Sequence, residues 1–533
     1  MSTNSSNVDF NNAGATQPRP ILSVAENQKR WQWVNNEEFY KLIPAPYHPF
    51  YNNWVKLWLY WYDGYVPWVH GGANALLSTS IGTTIVNRAS DSVFGGNLMF
   101  SNARKPLYRK DKGDGKSVGV ALDFISNDWA KKTNLKAIYK RAIRDAFAGG
   151  FSLLKLNKHD GELWVDELRA DRFYLDITGR GEIRKSVSIL SFYETISNKD
   201  NKRYCLIEER RYEPLGPFDE IPVVEYKIYD STVPIQYITT ESDNFIKWEQ
   251  LPKDVRRAFK SEYSFILNEP QALNGLSNLG VYLVKGSDDI SNVPQIGLGE
   301  SLLANIMNYL YEFDFYNTCF NTDMYLARGR ILIPKYMQGP RAKGAPEFGE
   351  RQNYGLDDFA YTKIDSPNPD ATKPEPIQFE LRSEKWKEAR NILLESIATS
   401  IGISVSTLAS YLSDGSNRTA REVSAEESAT TLFIENNRRR FEIPMNELIK
   451  DVLRFYGHVD DVEVRWSRAG MTNQTVLVDT LTKAVNAGLI SQKKAHDQYN
   501  YDDDEEQNAE DYMLVEKEQA SRQNSLFGGG DFE

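Results

Sequence analysis

Cysteine is nearly absent. Of 533 residues only Cys205 and Cys319 are cysteine, and they are far apart in the sequence. That excludes a disulfide framework and every paired-cysteine zinc module, and it points to a reducing compartment. Histidine is scarce too, with five residues at 48, 70, 159, 458 and 496. None forms an HExxH pattern or a pair at helical spacing, so no metal site is expected from them. Long apolar runs are missing: the densest stretch, from Trp54 to Trp68, is broken by Lys56 and Asp63 and is shorter than the roughly 20 residues a membrane-spanning helix needs. The N-terminal residues have no basic start followed by an apolar run, so no signal peptide is expected. Basic charge is also in deficit, with 63 Lys and Arg against 74 Asp and Glu, a net charge of -11. Gripping nucleic acid through many phosphates needs clustered Lys and Arg, so that mode is disfavoured, although a surface that nucleic acid slides past is not.

What is present is a globular composition, 41% hydrophobic, with length for more than one core, since single cores stop growing near roughly 250 to 300 residues. Aromatics reach 12%, with 11 Trp and 29 Tyr. Such residues suit a sugar-binding surface, but large cores and subunit interfaces use them equally.

Residues 1–29 are rich in Asn, Ser, Gly and Pro and read as a flexible arm. Leu77, Ile81, Ile85 and Ala89 recur four apart and predict a helix closed by Gly95 and Gly96. A second helix is predicted across 122–150, again ending in paired glycines. The period then changes to two. FSLLKLN, ELWVDEL and RFYLDIT read as strands, with Asp160 and Gly161 as a hairpin turn. YCLIEERRYE, VVEYKIYD and VPIQYIT continue the strand pattern, so the first half reads as mixed α+β.

From Gly299, the spacing of Leu303, Ile306, Met307, Leu310 and Phe313 predicts a helix to about Ala327, followed by a strand, RILIPKY. Residues 338–376 hold six prolines and read as a small irregular subdomain. A helix from Ser383 to near Gly402 places Trp386, Ala389, Leu393 and Ile397 on one face. Thr419 and Glu422 form a capping box opening a long helix, and Pro444 inside that helix predicts a kink or break, because proline lacks a donor and its ring clashes with the preceding turn. A strand, VEVRWSR, a helix over 475–487, a short helix after Ser491 and an acidic tail complete the chain.

Chemical motifs fail when tested. DKGDGKS ends like a phosphate loop, but Lys110 stands where the earlier glycine is required. GLGESL has Leu302 at the third glycine of a dinucleotide fingerprint, and a helix start explains it better. The acidic run at 502–506 lacks the glycine of a calcium loop. No GxSxG elbow occurs, and the carboxylates are too dispersed to nominate an acid–base pair. Arg438, Arg439 and Arg440 form the one tight basic cluster. Consecutive helical residues point in different directions, so salt bridges between helices or subunits are expected of them rather than one phosphate-binding face. No catalytic, cofactor-binding or metal residue is expected.

The order of elements, with the words IVNRASDSVFGG, IRDAFAGGFSLLKLNKHDGELWVDELRADRFYLDITGRGEI, SNRTAREVSAEESATT and the ending from VEVRWSRAG through AVNAGLISQKKAHDQYN to the acidic segment, resembles the portal protein of tailed double-stranded DNA bacteriophages. The resemblance implies an α+β portal fold with a wing, a two-helix stem, a small clip, a long kinked helix and a helical crown, assembled as a ring. It places the wing at 30–298 and 418–470, the stem helices at 299–329 and 382–402, the clip at 330–381, the tunnel loop at 403–417, and the crown with its acidic tail at 471–533. Ser410, Ser413, Asp414, Ser416 and Asn417 are then the DNA-facing residues of the tunnel loop. Leu408, Tyr411 and Leu412 hold its base, and Thr419, Glu422 and Pro444 cap and kink the long helix.

The implied function is not enzymatic: a homo-oligomeric ring, commonly a dodecamer, at the capsid portal vertex of the virion, assembled in the host cytoplasm without a membrane or cofactor. The implied partners are double-stranded DNA passing non-specifically through the channel, the terminase large subunit, a head-to-tail adaptor, and the major capsid and scaffolding proteins. Two readings from other classes compete: a cytosolic hydrolase with dispersed carboxylates, and a tail or baseplate component that binds carbohydrate.

Overall fold

The computed structural model describes residues 50–64, 76, 78–95, 98–102, 121–159, 161–178, 181–195, 202–215, 219–230, 246, 250–253, 255–257, 270–273, 275–276, 278–287, 297–327, 330–334, 361–364, 375–377, 382–408, 420–458, 462–466, 474–487, 489, 491–492, 495–496 and 513–517. The chain divides into two compact units, a smaller one holding 308–396 with 66–79, and a larger one holding 36–65, 80–307 and 397–533. The arm at 1–29 and the strand expected at VPIQYIT lie outside the described residues.

In the larger unit a π-helical turn, Tyr51–Val55, leads into helix α1, Lys56–Asp63. Helix α2 is Ile81–Phe94, and it buries Ile85 and Ala89 as their spacing predicts. A short strand, β1, follows at Leu98–Asn102. The single helix expected over 122–150 is instead interrupted. A π-helical turn, Phe124–Trp129, and a short helical stretch end at Thr133 and Asn134. Asn134 takes φ 53°, in the left-handed region that Asn tolerates better than most residues, while Thr133 donates through both its N–H and its hydroxyl to the Trp129 carbonyl. Helix α3 then runs Leu135–Gly149.

Strands β2 (Phe151–His159), β3 (Glu162–Arg169), β4 (Phe173–Ile177), β5 (Ile183–Thr195), β6 (Lys202–Pro214), β7 (Glu220–Asp230), β8 (Gln271–Ala272) and β9 (Val281–Lys285) build two sheets, ordered β3-β2-β9 and β4-β5-β6-β7-β8. The hairpin between β2 and β3 pairs His159 with Glu162 and has Gly161 at φ 82°.

The word EERR in β6 acquires a physical meaning in the two sheets. Glu208 and Arg210 are buried to 2% and 1% exposure. The Arg210 Nε donates to Glu208 at 2.7 Å, and its Nη atoms donate to the carbonyls of Leu156, Leu279 and Gly280 and to Asn157 Oδ1. Lys155 from β2 donates to the other oxygen of Glu208 at 3.1 Å. Burial opposes ionisation of Glu208, but Arg210 and Lys155 outweigh it and hold the carboxyl down at about 2. Buried charge is tolerated only when paired and hydrogen-bonded, and these contacts tie the three-stranded sheet to the five-stranded one. On the same strand Glu209 accepts from Lys185 and Lys227, and Arg211 donates to Glu225 and Glu213.

In the smaller unit helix α4, Met307–Leu326, is followed by β10 (Arg330–Pro334), β11 (Tyr361–Ile364), β12 (Glu375–Ile377) and helix α5 (Ser383–Ile401). The segment expected to be irregular over 338–376 therefore contributes two strands to a sheet ordered β11-β10-β12. Pro376 sits opposite Ile331 on the edge strand β12, where a missing N–H is acceptable.

The chain then returns to the larger unit through a single-turn helix, α6 (Val405–Leu408), helix α7 (Ala420–Phe455), strand β13 (Val462–Trp466) and helix α8 (Gln474–Asn486). β13 pairs antiparallel with β1. The break considered at Pro444 does not occur: α7 is continuous for 36 residues. Phe441, Met445, Leu448 and Ile449 around the proline are all buried, and packing of this face overrides the local penalty. Tyr139 of α3 donates its hydroxyl to the Phe441 carbonyl, one residue beyond the Arg440 carbonyl that Pro444 cannot reach with an N–H.

Candidate functional site

The stretch from the lead-in of α4 to the start of α7 carries the expected stem, clip and loop. The lead-in is fixed by close backbone approaches. Gly286 N–H donates to the Gly150 carbonyl at 2.7 Å. A Cβ on Gly286 would lie 2.3 Å from the Ala146 carbonyl oxygen, and one on Gly299 would lie 2.5 Å from the Gly150 oxygen. Gly299 of GLGESL therefore serves a backbone crossing, while Gly297 takes φ 64° beside the Ile177 side chain. Ser301 donates to the carbonyls at the C-terminus of α3, Phe147 and Ala148, which would otherwise lack intrahelical partners.

Within the smaller unit, α4 and α5 meet through Tyr316, Phe320 and Trp386. The Tyr316 and Trp386 rings lie 5.2 Å apart edge to face, and Tyr316 stacks on Phe320. The Tyr316 hydroxyl donates to the Trp386 carbonyl, and burial pushes its pKa up. Asp323 accepts from both Arg382 (2.7 Å) and Trp386 Nε1 (2.8 Å), and the Arg382 bond holds its carboxyl below the ordinary value. Higher on α4, buried Asp314 accepts from the N–H and the hydroxyl of Thr79.

At the end of α5, Gly402 takes φ 82°, and the N–H groups of Gly402 and Ile403 both reach the Ala398 carbonyl, a glycine-closed helix end. Ser404 then caps α6, accepting from Thr407 N–H through its hydroxyl, while its own N–H donates to Thr430 Oγ1 of α7 at 2.9 Å. Ile403, Ser404 and Leu408 are buried. Residues 403–408, at the start of the segment expected to be the tunnel loop, thus form a capped turn. Ser410, Ser413, Asp414, Ser416, Asn417 and Thr419 lie outside the described residues, as do Tyr411 and Leu412. Glu422 falls in the first turn of α7, and Pro444 is buried within that helix.

The arginine cluster diverges as helical geometry requires. Arg438 is buried, donates to the Val93 carbonyl at 2.8 Å and covers the Trp466 ring at 5.4 Å. Arg440 donates to the Gly286 carbonyl and to Asn437, and Arg439 is exposed. Sequence reasoning did not find Tyr139, Thr430 or Asp314, whose partners are remote in the chain. The Ser404-x-x-Thr407 cap was readable in principle.

Among the described residues no group of three or more His, Cys, Asp or Glu could hold a metal ion, and no helix is long and apolar enough to cross a membrane. In chain order α4 and α5 flank the strands β10, β11 and β12, and the long helix α7 follows. Residues 300–523 match the family model described as phage portal protein, SPP1 Gp6-like. That match bears out the resemblance in the sequence and supports a phage portal protein. No curated protein matches the chain.

Proposed function

We propose that the chain forms a closed ring, commonly of twelve copies, at one vertex of a tailed-phage capsid. The ring is the channel through which double-stranded DNA enters during packaging and leaves during ejection. The observation carrying this reading is the family match over 300–523, which spans the helix, small sheet, helix and long helix that the resemblance assigns to stem, clip, stem and wing. Residues 30–298 and 418–470 are the wing, 299–329 and 382–402 the stem, 330–381 the clip and 471–533 the crown. The clip docks the terminase large subunit and later the head-to-tail adaptor, while capsid and scaffolding proteins surround the wing. Residues 403–417 are the tunnel loop, and its DNA-facing residues are Ser410, Ser413, Asp414, Ser416 and Asn417. The region from Ala409 to Asn417 has no Lys or Arg, so the loop touches DNA without gripping phosphates, and the net charge of -11 favours a bore that repels them. The proline in α7 bends that helix while leaving it continuous.

Electron microscopy of the purified full chain tests the reading. Closed rings with a central channel wide enough for a DNA duplex are expected, and a population of single chains or dimers at every concentration would refute it.

A further inference from the structure

Helix α3 buries an apolar face that includes Ala142, Ile143 and Ala146, and with them one carboxylate, Asp145, at 6% exposure. Alternation along β3 puts Glu167 on the same face as the buried Leu163 and Val165. The two carboxyls are hydrogen-bonded to each other, and Glu167 Oε1 is shut off from solvent with no N–H or hydroxyl donor among the described residues. Ionised carboxylates only accept, so this bond requires a proton on one of them. The surrounding charges point the same way. Asp145 accepts from Arg144 Nε at 3.1 Å, and Arg169 divides its guanidinium between Asp63 at 3.2 Å and Asp171 at 2.5 Å. With Arg141, which also acts on Glu167, three guanidiniums face the four carboxyls of Asp63, Asp145, Glu167 and Asp171. One shared proton makes this cluster neutral. Tyr62 of α1 completes the group, and burial holds its phenol up at about 12, so it adds no charge.

We propose that Asp145 and Glu167 form a proton-operated joint: one shared proton ties the C-terminal end of α3 to β3, and its loss loosens that end of α3 together with the lead-in to α4. The link between the two is direct. Ala146, next to Asp145, presents the carbonyl oxygen against which Gly286 packs, and the Phe147 and Ala148 carbonyls accept from Ser301. Losing the proton leaves two carboxylates side by side, one of them with an oxygen that no donor reaches, and four negative charges against three positive. Repulsion and unpaired burial both oppose that state. Burial first, then the Asp145 charge and hydrogen bond, push the Glu167 carboxyl up to about 8, while Arg141 and Arg144 pull the other way. The folded chain therefore holds this proton at a pH where the unfolded chain, at the ordinary glutamate value of 4.5, has lost it. The contribution of the joint is fully present below about pH 4.5 and is lost as pH rises through about 8, the opposite direction from Glu208. It rests on contacts within one chain and is independent of the ring reading.

Infrared difference spectra of the full chain, taken between about pH 6 and about pH 10, read the proton, and pulsed amide exchange over the same range, corrected for the intrinsic rate, reads the joint. In wild type a protonated-carboxyl stretch is expected to disappear with a midpoint near about 8, while peptides from 142–150 and 297–306 lose roughly tenfold in protection. Glu167→Gln, whose amide can donate to Asp145 without titrating, is expected to lack the band and to keep its protection throughout. A wild-type band that survives in Glu167→Gln, or no such band in wild type, overturns the shared proton. A band with no difference in exchange between wild type and Glu167→Gln overturns the joint. Should Glu167→Gln misfold, Asp145→Asn gives a second reading: with the neighbouring charge removed, the midpoint of the band is expected to fall by about one pH unit or more, a tenfold change in proton affinity, and an unmoved midpoint overturns the pairing.

Discussion

The β5–β6–β7 sheet and the α4–α5 helix pair solve the same problem in opposite ways. In the sheet even charged groups are completed within the chain: Glu208 accepts from Lys155 and Arg210, and the Arg210 guanidinium spends its N–H groups on a carboxylate, an amide and three carbonyls. In the helix pair, aromatic and aliphatic side chains such as Phe315 and Ile392 stand in solvent while the polar groups Asp323 and Arg382 are paired. A region whose buried charges are paired internally needs no partner to complete them, whereas exposed contiguous apolar surface is a mark of association sites.

The largest effect is expected in the sheet. Arg210→Met leaves Glu208 and Lys155 buried with too few partners, and breaking such a pair costs about 3–5 kcal/mol. Denaturant unfolding followed by a probe in β6 is expected to shift by that amount, and a shift near zero would break the comparison. The same network sets an acid limit. The folded pKa of Glu208 lies below its ordinary value, near 2, so its stabilisation is fully present above about pH 4.5 and is lost as pH falls from there toward 2. Unfolding midpoints measured across that range are expected to fall more steeply in wild type than in a Glu208→Gln variant.

A smaller loss is expected at the lead-in to α4. Gly286→Ala places a methyl group 2.3 Å from the Ala146 carbonyl and is expected to cost about 1–3 kcal/mol by overpacking, read as a lower thermal midpoint. Smallest is Tyr316→Phe, which removes the hydroxyl bond to the Trp386 carbonyl but keeps the ring stack. About 0.5–1.5 kcal/mol is expected, visible as faster amide exchange in α4 with no change in β6. An equal change in both regions would show that the helix pair and the sheet unfold together.

Much of this architecture was legible from alternation and helical spacing. β2, β3, β6 and β7, the helices α2, α4, α5 and α8, and the continuous apolar pattern through α7 all follow from local residues. The misses have physical causes. β5 carries Ser186 and Ser188 buried to 1%, so its inward face does not read as apolar. β1 is five residues long and takes its partner, β13, from the other end of the chain, a pairing no local pattern encodes. The end at Asn134 depends on a single left-handed residue inside an otherwise helical pattern. At Pro444 the local rule allowed a break, and burial of Phe441, Met445 and Leu448 decided for continuity. At the candidate site the helix pair and its closing Gly402 were readable. The capped turn at 403–408 was not, because it depends on Thr430, which is remote in sequence.

Amide exchange by mass spectrometry on the full chain, below and above its assembly concentration, tests the proposed ring most directly, since that proposal has the stem and clip completed by neighbouring copies. The account predicts that peptides from 308–326 and 338–376 gain protection on assembly while β5, β6 and β7 keep the protection they already have. Residues 338–376 as protected as the α4 and α5 helices in the dissociated chain, or no change in either peptide on assembly, would contradict it.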